Sequence, residues 1–149
     1  MADQIIFSKP YGTVLVDADV PCVVAQWHTF ANASEFINMQ EAILHYLETH
    51  STPARPWGLV GDVRHMATIP DKVQQWLQDE FNPRLLAAGV RELNVVLATN
   101  IFGQLATQRY AHDTRQAGRR AGGPATLHTT FFDSLAAAKE GARQALASR

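Results

Sequence analysis

The sequence predicts an α/β fold: a single mixed β-sheet with an N-terminal antiparallel meander followed by βα units, helices packed on the sheet. Three observations carry that reading. From Gln4 to Thr29, short runs of β-branched and aromatic residues alternate with clusters of Gly, Pro and Asp, the pattern of a hairpin meander. After Asn32 the apolar residues recur at spacings of three and four instead of two. From Trp57 onward, strand-length apolar runs alternate with helical ones, which indicates one mixed sheet covered by helices.

Each element follows from local chemistry. Gln4 to Ser8 is the first strand, and Lys9 to Gly12 supplies the turn into Thr13 to Asp17. Asp17 to Pro21 makes a second turn, and Cys22 to Thr29 is the third strand, with Trp27 near its end. Asn32, with Glu35 at the third helical position, has the form of a capping box. Phe36, Met39, Ile43 and Leu47 then give this helix one apolar face. Ser51 to Pro56 breaks it, and Trp57 to Val63 is the next strand.

A second helix runs from about Pro70 to Ala88, with Val73, Trp76, Leu77, Phe81 and Leu85 on one side. Pro83 lies inside it, where it removes a backbone donor and crowds the preceding turn, so a kink or short break is expected near Asn82. Gly89 is expected to end it as a left-handed cap. Glu92 to Ala98 is an almost continuous apolar run, as expected of a central strand covered on both faces. A third helix is expected over Phe102 to Ala117, then a Gly/Arg-rich loop from Gly118 to Gly123 and a last strand from Ala125 to Phe132. Asp133 or Ser134 caps a final helix with Leu135, Ala138, Ala142, Ala145 and Leu146 inward.

The 149 residues suit one domain spanning 1–149, long enough to bury roughly 70% of its unfolded surface. Thirteen Lys and Arg against fourteen Asp and Glu leave a net charge of -1, which argues against a general electrostatic grip on nucleic acid. Arg115, Arg119 and Arg120 read as cations at the negative pole of a helix. Cys22 is the only cysteine, so neither an intrachain disulfide nor a Cys-based zinc cluster can form. Its apolar neighbours make it a small buried residue with no basic group to activate it. The first residues do not have the form of a signal peptide, and no apolar run approaches the roughly twenty residues that span a bilayer. A cytoplasmic location without an integral membrane segment is the expectation.

Polar chemistry and predictable backbone geometry coincide in one place, the segment from Trp57 to Pro70. An apolar strand ends there in Asp62, Arg64 and His65, facing a helix start at Thr68 to Asp71. In α/β proteins the carboxyl ends of strands opposite a helix start are where ligands usually sit. Thr99 and Asn100 at the end of the neighbouring strand can join this group, and Arg84 and Arg109 on the adjacent helices can add an anion contact. If the strand continues that far, residues 62 and 64 share a face and can pair; Asp62 can orient an imidazole and Arg64 can hold an anion. The competing reading is that the cluster caps the helix and stitches strand ends together.

The order of elements and several short strings resemble the SpoIIAA-like superfamily of STAS and SEC14-type domains, in particular small stand-alone bacterial STAS/SEC14-domain proteins. The strings are Trp27 at the strand end, Gly61 to Arg64, Gln75 with Trp76, Phe81 to Arg84, Ala88 to Val90, Asn100 to Gly103 and Phe132 to Leu135. STAS anti-sigma-factor antagonists carry a phosphorylatable serine in an Asp-Ser-Ser-Gly-type turn after this central strand. Here His65 to Pro70 contains no serine or glycine, and Thr68 is its only hydroxyl. Thr68 therefore reads as a helix N-cap rather than a phospho-switch. The SEC14 side implies an apolar or amphiphilic ligand between sheet and helices, with Trp57, Trp76, Phe81, Phe102 and Leu105 as candidate lining. Aromatic residues at helical spacing also serve as plain core.

Signatures of catalysis are missing. His45 and His50 are five apart on one helix and do not share a face closely, and no His-Glu-x-x-His or calcium loop occurs. His112 and Asp113 are sequential neighbours that point apart on a helix. There is no Gly-x-Ser-x-Gly elbow, and the serines fall at turns or helix starts, where capping explains them. No Gly-x-Gly-x-x-Gly follows a strand, and no Walker lysine exists. No metal, cofactor or catalytic residue is expected.

The resulting expectation is a non-enzymatic regulatory or protein-interaction domain of the STAS type, without the usual serine phospho-switch. Its partner would be another protein or a second copy, as a homodimer. The alternative is a carrier or sensor of a small apolar or amphiphilic ligand, and the third an enzyme using Asp62, Arg64 and His65. A carrier predicts an apolar cavity of roughly several hundred Å³. An interaction module predicts a filled core with an exposed apolar patch. An enzyme predicts a cleft in which His65 or Asp62 has a perturbed pKa.

Overall fold

The computed structural model describes residues 3–66, 69–97 and 127–148. Six strands form one mixed sheet in sequential order: β1 (Gln4–Lys9), β2 (Gly12–Asp17), β3 (Cys22–Trp27), β4 (Gly58–Asp62), β5 (Glu92–Val96) and β6 (His128–Phe132). β1, β2 and β3 pair antiparallel, and β3 to β6 run parallel. The predicted meander followed by βα units is therefore present. Helix α1 (Ala33–His50) joins β3 to β4. Helix α2 is a continuous rod of Lys72–Trp76, a wide turn at Leu77–Phe81 and Asn82–Ala87. Helix α3 (Leu135–Ala147) follows β6. The expected helix from Phe102 to Ala117 and the loop after it lie outside the described residues.

The local signals act as chemistry requires. Asn32 accepts from the backbone of Glu35 at 2.8 Å while the Glu35 carboxylate accepts from the Asn32 backbone at 3.0 Å, a complete capping box. Pro83 cannot donate and would crowd the carbonyl one turn earlier; the helix answers with the wide turn that ends at Phe81, beside the break expected near Asn82. Gly89 adopts φ +89°, its N–H reaches the Leu86 carbonyl and Val90 N–H the Leu85 carbonyl, both at 3.0 Å. This is a Schellman cap. Ser134, rather than Asp133, caps α3 by accepting from Ala137 N–H at 3.1 Å.

The two faces of the sheet bury different things. One carries Val14, Val23, Trp27, Leu59, Leu93 and Val95 against Phe36, Met39, Ile43 and Leu47 of α1 and Val73, Leu77, Phe81 and Leu85 of α2. The other is thinner: Cys22, Val24, Val60 and Val96 meet Ala138 and Ala142 of α3, whose small side chains let the helix lie close. Burial pushes the Cys22 thiol up to about 12, helped by the nearby Asp17 carboxylate, which makes it inert as the sequence suggested. Lys139 of α3 donates to Asp3 at 2.7 Å and to Asp17 at 3.1 Å, tying the start of the meander to this layer. No described helix is long and apolar enough to cross a membrane.

Candidate functional site

Alternation along a strand puts Leu59, Gly61 and Val63 on the α1/α2 face and Val60 and Asp62 on the other. The register aligns Ala25 of β3 with Gly61 of β4, and Gly61 with Val95 of β5. Two very small residues thus lie side by side in the middle of the sheet, with larger ones around them. Helices resting on the large residues cannot fill the dip between them.

The result is a cavity of about 60 Å³ between sheet and helices. Its floor is Ala25, Trp27, Leu59, Gly61, Leu93 and Val95, and its roof is Phe36, Gln40 and Ile43 of α1 with Leu77 and Phe81 of α2. Val63, Met66 and Ile69 line it near the end of β4. A Cβ built on Gly61 meets no atom within 4 Å, so the space begins at that backbone. Leu77 and Phe81 are the two ends of the wide turn in α2. Trp27 stacks on Phe36 with ring centroids 4.7 Å apart and planes 11° apart, which stiffens one wall.

Gln40 is the polar exception. Its residue is 8% exposed. Among the described residues that line it, none carries a formal charge.

The strand-end cluster sits on the opposite face. Asp62 accepts from Arg64 Nε at 2.9 Å, from Nη2 at 2.8 Å and from the Arg64 backbone N–H at 3.2 Å. Burial pushes the Asp62 carboxyl up, but the Arg64 guanidinium and backbone bonds, with Gln26 beside it on β3, outweigh that and hold it below the usual carboxylate range. Both oxygens being occupied, Asp62 orients no imidazole among the described residues, and Arg64 is already neutralised. His65 next to them is exposed. The shifted carboxyl belongs to a closed ion pair and not to a cleft, so the geometry favours the stitching role over the catalytic one. Thr68, Thr99 and Asn100 lie outside the described residues.

Of the residues expected to line a pocket, Phe81 does so. Trp76 packs on Phe81 at 5.8 Å from outside the cavity wall. Trp57 stands outside it too, at the other end of the sheet, with its ring 5.6 Å from Tyr46 and 5.9 Å from His50. It immediately precedes Gly58 and so sits at the amino end of β4, away from the carboxyl end. Phe102 and Leu105 lie outside the described residues, as does Arg109. Arg84 bonds Glu48 at 2.8 and 3.0 Å and also Glu41, clamping α2 to α1.

The sequence reading does not include Gln40 among the candidate site residues, and it names Gly61 only as the start of the string Gly61 to Arg64. Each had a signal: Gln40 falls four residues after Phe36 on the apolar face of α1, and Gly61 interrupts an otherwise apolar strand. Among the described residues no group of three or more His, Cys, Asp or Glu could hold a metal ion. No family model matches this chain, and searches of curated proteins and solved structures found no match.

Proposed function

We propose that this chain is a non-enzymatic binding domain that takes a small apolar or amphiphilic ligand in the cavity between the sheet and helices α1 and α2. The observation that carries this is the apolar cavity floored by Ala25 and Gly61 and roofed by the wide turn of α2. Wide turns of this kind cost hydrogen-bond geometry and often mark functional positions. At about 60 Å³ the cavity falls short of the several hundred Å³ expected of a carrier and is below the roughly 150 Å³ that holds a benzene ring, so it admits a ligand of only a few heavy atoms or a small part of a larger one. The SEC14-like side of the family resemblance points the same way.

A second reading keeps the regulatory, protein-interaction role of the STAS type, with a protein or a second copy as partner and a cytoplasmic setting. It is supported by Arg64, whose side chain stays 38% exposed, beside exposed His65 at the end of a central strand. The two readings are compatible if the ligand governs the partner surface.

Native mass spectrometry of the protein purified from its own host, compared with the same sample after denaturation, separates them. A small molecule retained only in the native spectrum supports the binding domain. Bare protein at the mass of a dimer supports the interaction reading.

A further inference from the structure

We infer that β1 is a strap that opens as a unit while the rest of the sheet stays folded, with the ion pair of Asp3 and Lys139 as its latch. The inference is independent of the binding reading, since none of the described residues that line the cavity belongs to β1.

Burial sets this strand apart. Every other described strand buries at least one of its residues, and β1 buries none. Ile6 and Phe7 are half-buried against the margin of the core, while Ile5 is 60% exposed. As the first strand of the sheet order, β1 pairs with β2 alone. Its register slips between Ile5 and Phe7, which leaves Ile6 without a partner on β2 and interrupts the ladder. β2, by contrast, keeps all six residues in unbroken register with β3. A strand that buries little and pairs on one side opens at a lower free energy than the core strands beside it.

The two ends of β1 are held differently. After Lys9 the turn at Pro10 and Tyr11 joins it covalently to β2 and serves as a hinge. At the other end Asp3 accepts from Lys139 Nζ at 2.7 Å, and the same ammonium donates to Asp17 of β2 at 3.1 Å. All three side chains are partly solvated, so each bond is weak enough to break and re-form. The second carboxylate is what makes the first bond a latch. When Asp3 swings away it is rehydrated, and Lys139 keeps its ion pair with Asp17, so no half-buried charge is stranded. Opening therefore costs little, and it leaves the regular strand β2 as the edge of the sheet.

Native-state hydrogen exchange, read amide by amide by NMR on the full chain, tests this with the wild type, Asp3→Asn and Asp17→Asn. In the wild type the β1 amides bonded to β2 are expected to exchange at least about tenfold faster than those of β4 and β5. Asp3→Asn weakens the closed state alone, so β1 should exchange about fivefold faster still while β4 and β5 stay within about twofold. Asp17→Asn acts in the opposite sense: opening now strands Lys139, and β1 should exchange no faster than in the wild type. Wild-type β1 amides as slow as those of β4 and β5 would overturn the strap. So would an Asp3→Asn variant that fails to fold or that speeds exchange in all strands alike. An unchanged β1 in Asp3→Asn, or the same acceleration of β1 in Asp17→Asn, would overturn the latch.

Discussion

Arg64, in the turn two residues beyond the end of β4, grips the carboxylate of Asp62 with both Nε and Nη2, and alternation along the strand puts Asp62 on the face of the sheet turned away from the cavity. The two polar features of β4 are thereby separated. The strand end is closed by an ion pair, and the vacancy over Gly61 is lined, among the described residues, by uncharged side chains. Alternation of side chains along one strand is enough to produce this division.

That pair makes a prediction about stability. Arg64→Ala leaves a carboxylate that is 4% exposed without its cation. The expected loss is about 2 kcal/mol in urea unfolding, below the range for a fully buried pair because Arg64 is itself partly solvated. The Asp62 carboxyl is held below its ordinary value in the folded state, so its contribution is present above the unfolded carboxylate range near pH 4 and is lost as pH falls through the folded value. Asp62→Asn should flatten that part of the stability profile, which unfolding curves collected from about pH 6 down to 2 will check.

The clamp between the helices should depend on salt. Arg84 bonds Glu48 and Glu41 of α1, and it holds the Glu48 carboxyl below its usual range chiefly through that hydrogen bond. All three side chains are partly solvated. Arg84→Met is therefore expected to cost about 1 kcal/mol at low ionic strength and less in 1 M salt. A loss that does not change with salt would assign the effect to packing instead.

Gly89 and Gly61 should respond in opposite directions to the same substitution. At Gly89 the backbone has φ +89°, and an added Cβ would lie 2.6 Å from the Thr52 carbonyl oxygen. Gly89→Ala should destabilise by about 2 kcal/mol or more. At Gly61 the added methyl meets nothing within 4 Å, and the residue lies in a strand. Gly61→Ala should stabilise by about 0.5 kcal/mol, through a less flexible unfolded chain and a partly filled cavity. Thermal melts of the two variants beside the wild type are sufficient.

Much of the fold was legible because its signals are local. The capping box at Asn32, the left-handed cap at Gly89 and the helix interruption ahead of Pro83 each need only a few neighbouring residues. The site was less legible, because its determinants are relations between strands. Gly61 becomes a vacancy only when the register sets it beside Ala25, and Gln40 becomes conspicuous only when α1 is laid over both. Trp57 and Trp76 attracted notice as large aromatic residues, yet one packs on Tyr46 and the other on the back of Phe81. Asp62 and Arg64 were expected to pair and do; that the pair turns away from the cavity depends on strand phase, which residue type does not reveal.

The most direct test of the account is equilibration of isotopically labelled protein with xenon, an apolar probe small enough for a cavity of about 60 Å³, followed by backbone amide shifts in the wild type and in Gly61→Leu. The account predicts saturable shifts centred on Ala25, Gly61, Leu77 and Phe81 in the wild type, and their loss in the variant, whose side chain occupies the cavity. Absence of saturable shifts in the wild type, or the same shifts in a folded Gly61→Leu, would contradict it.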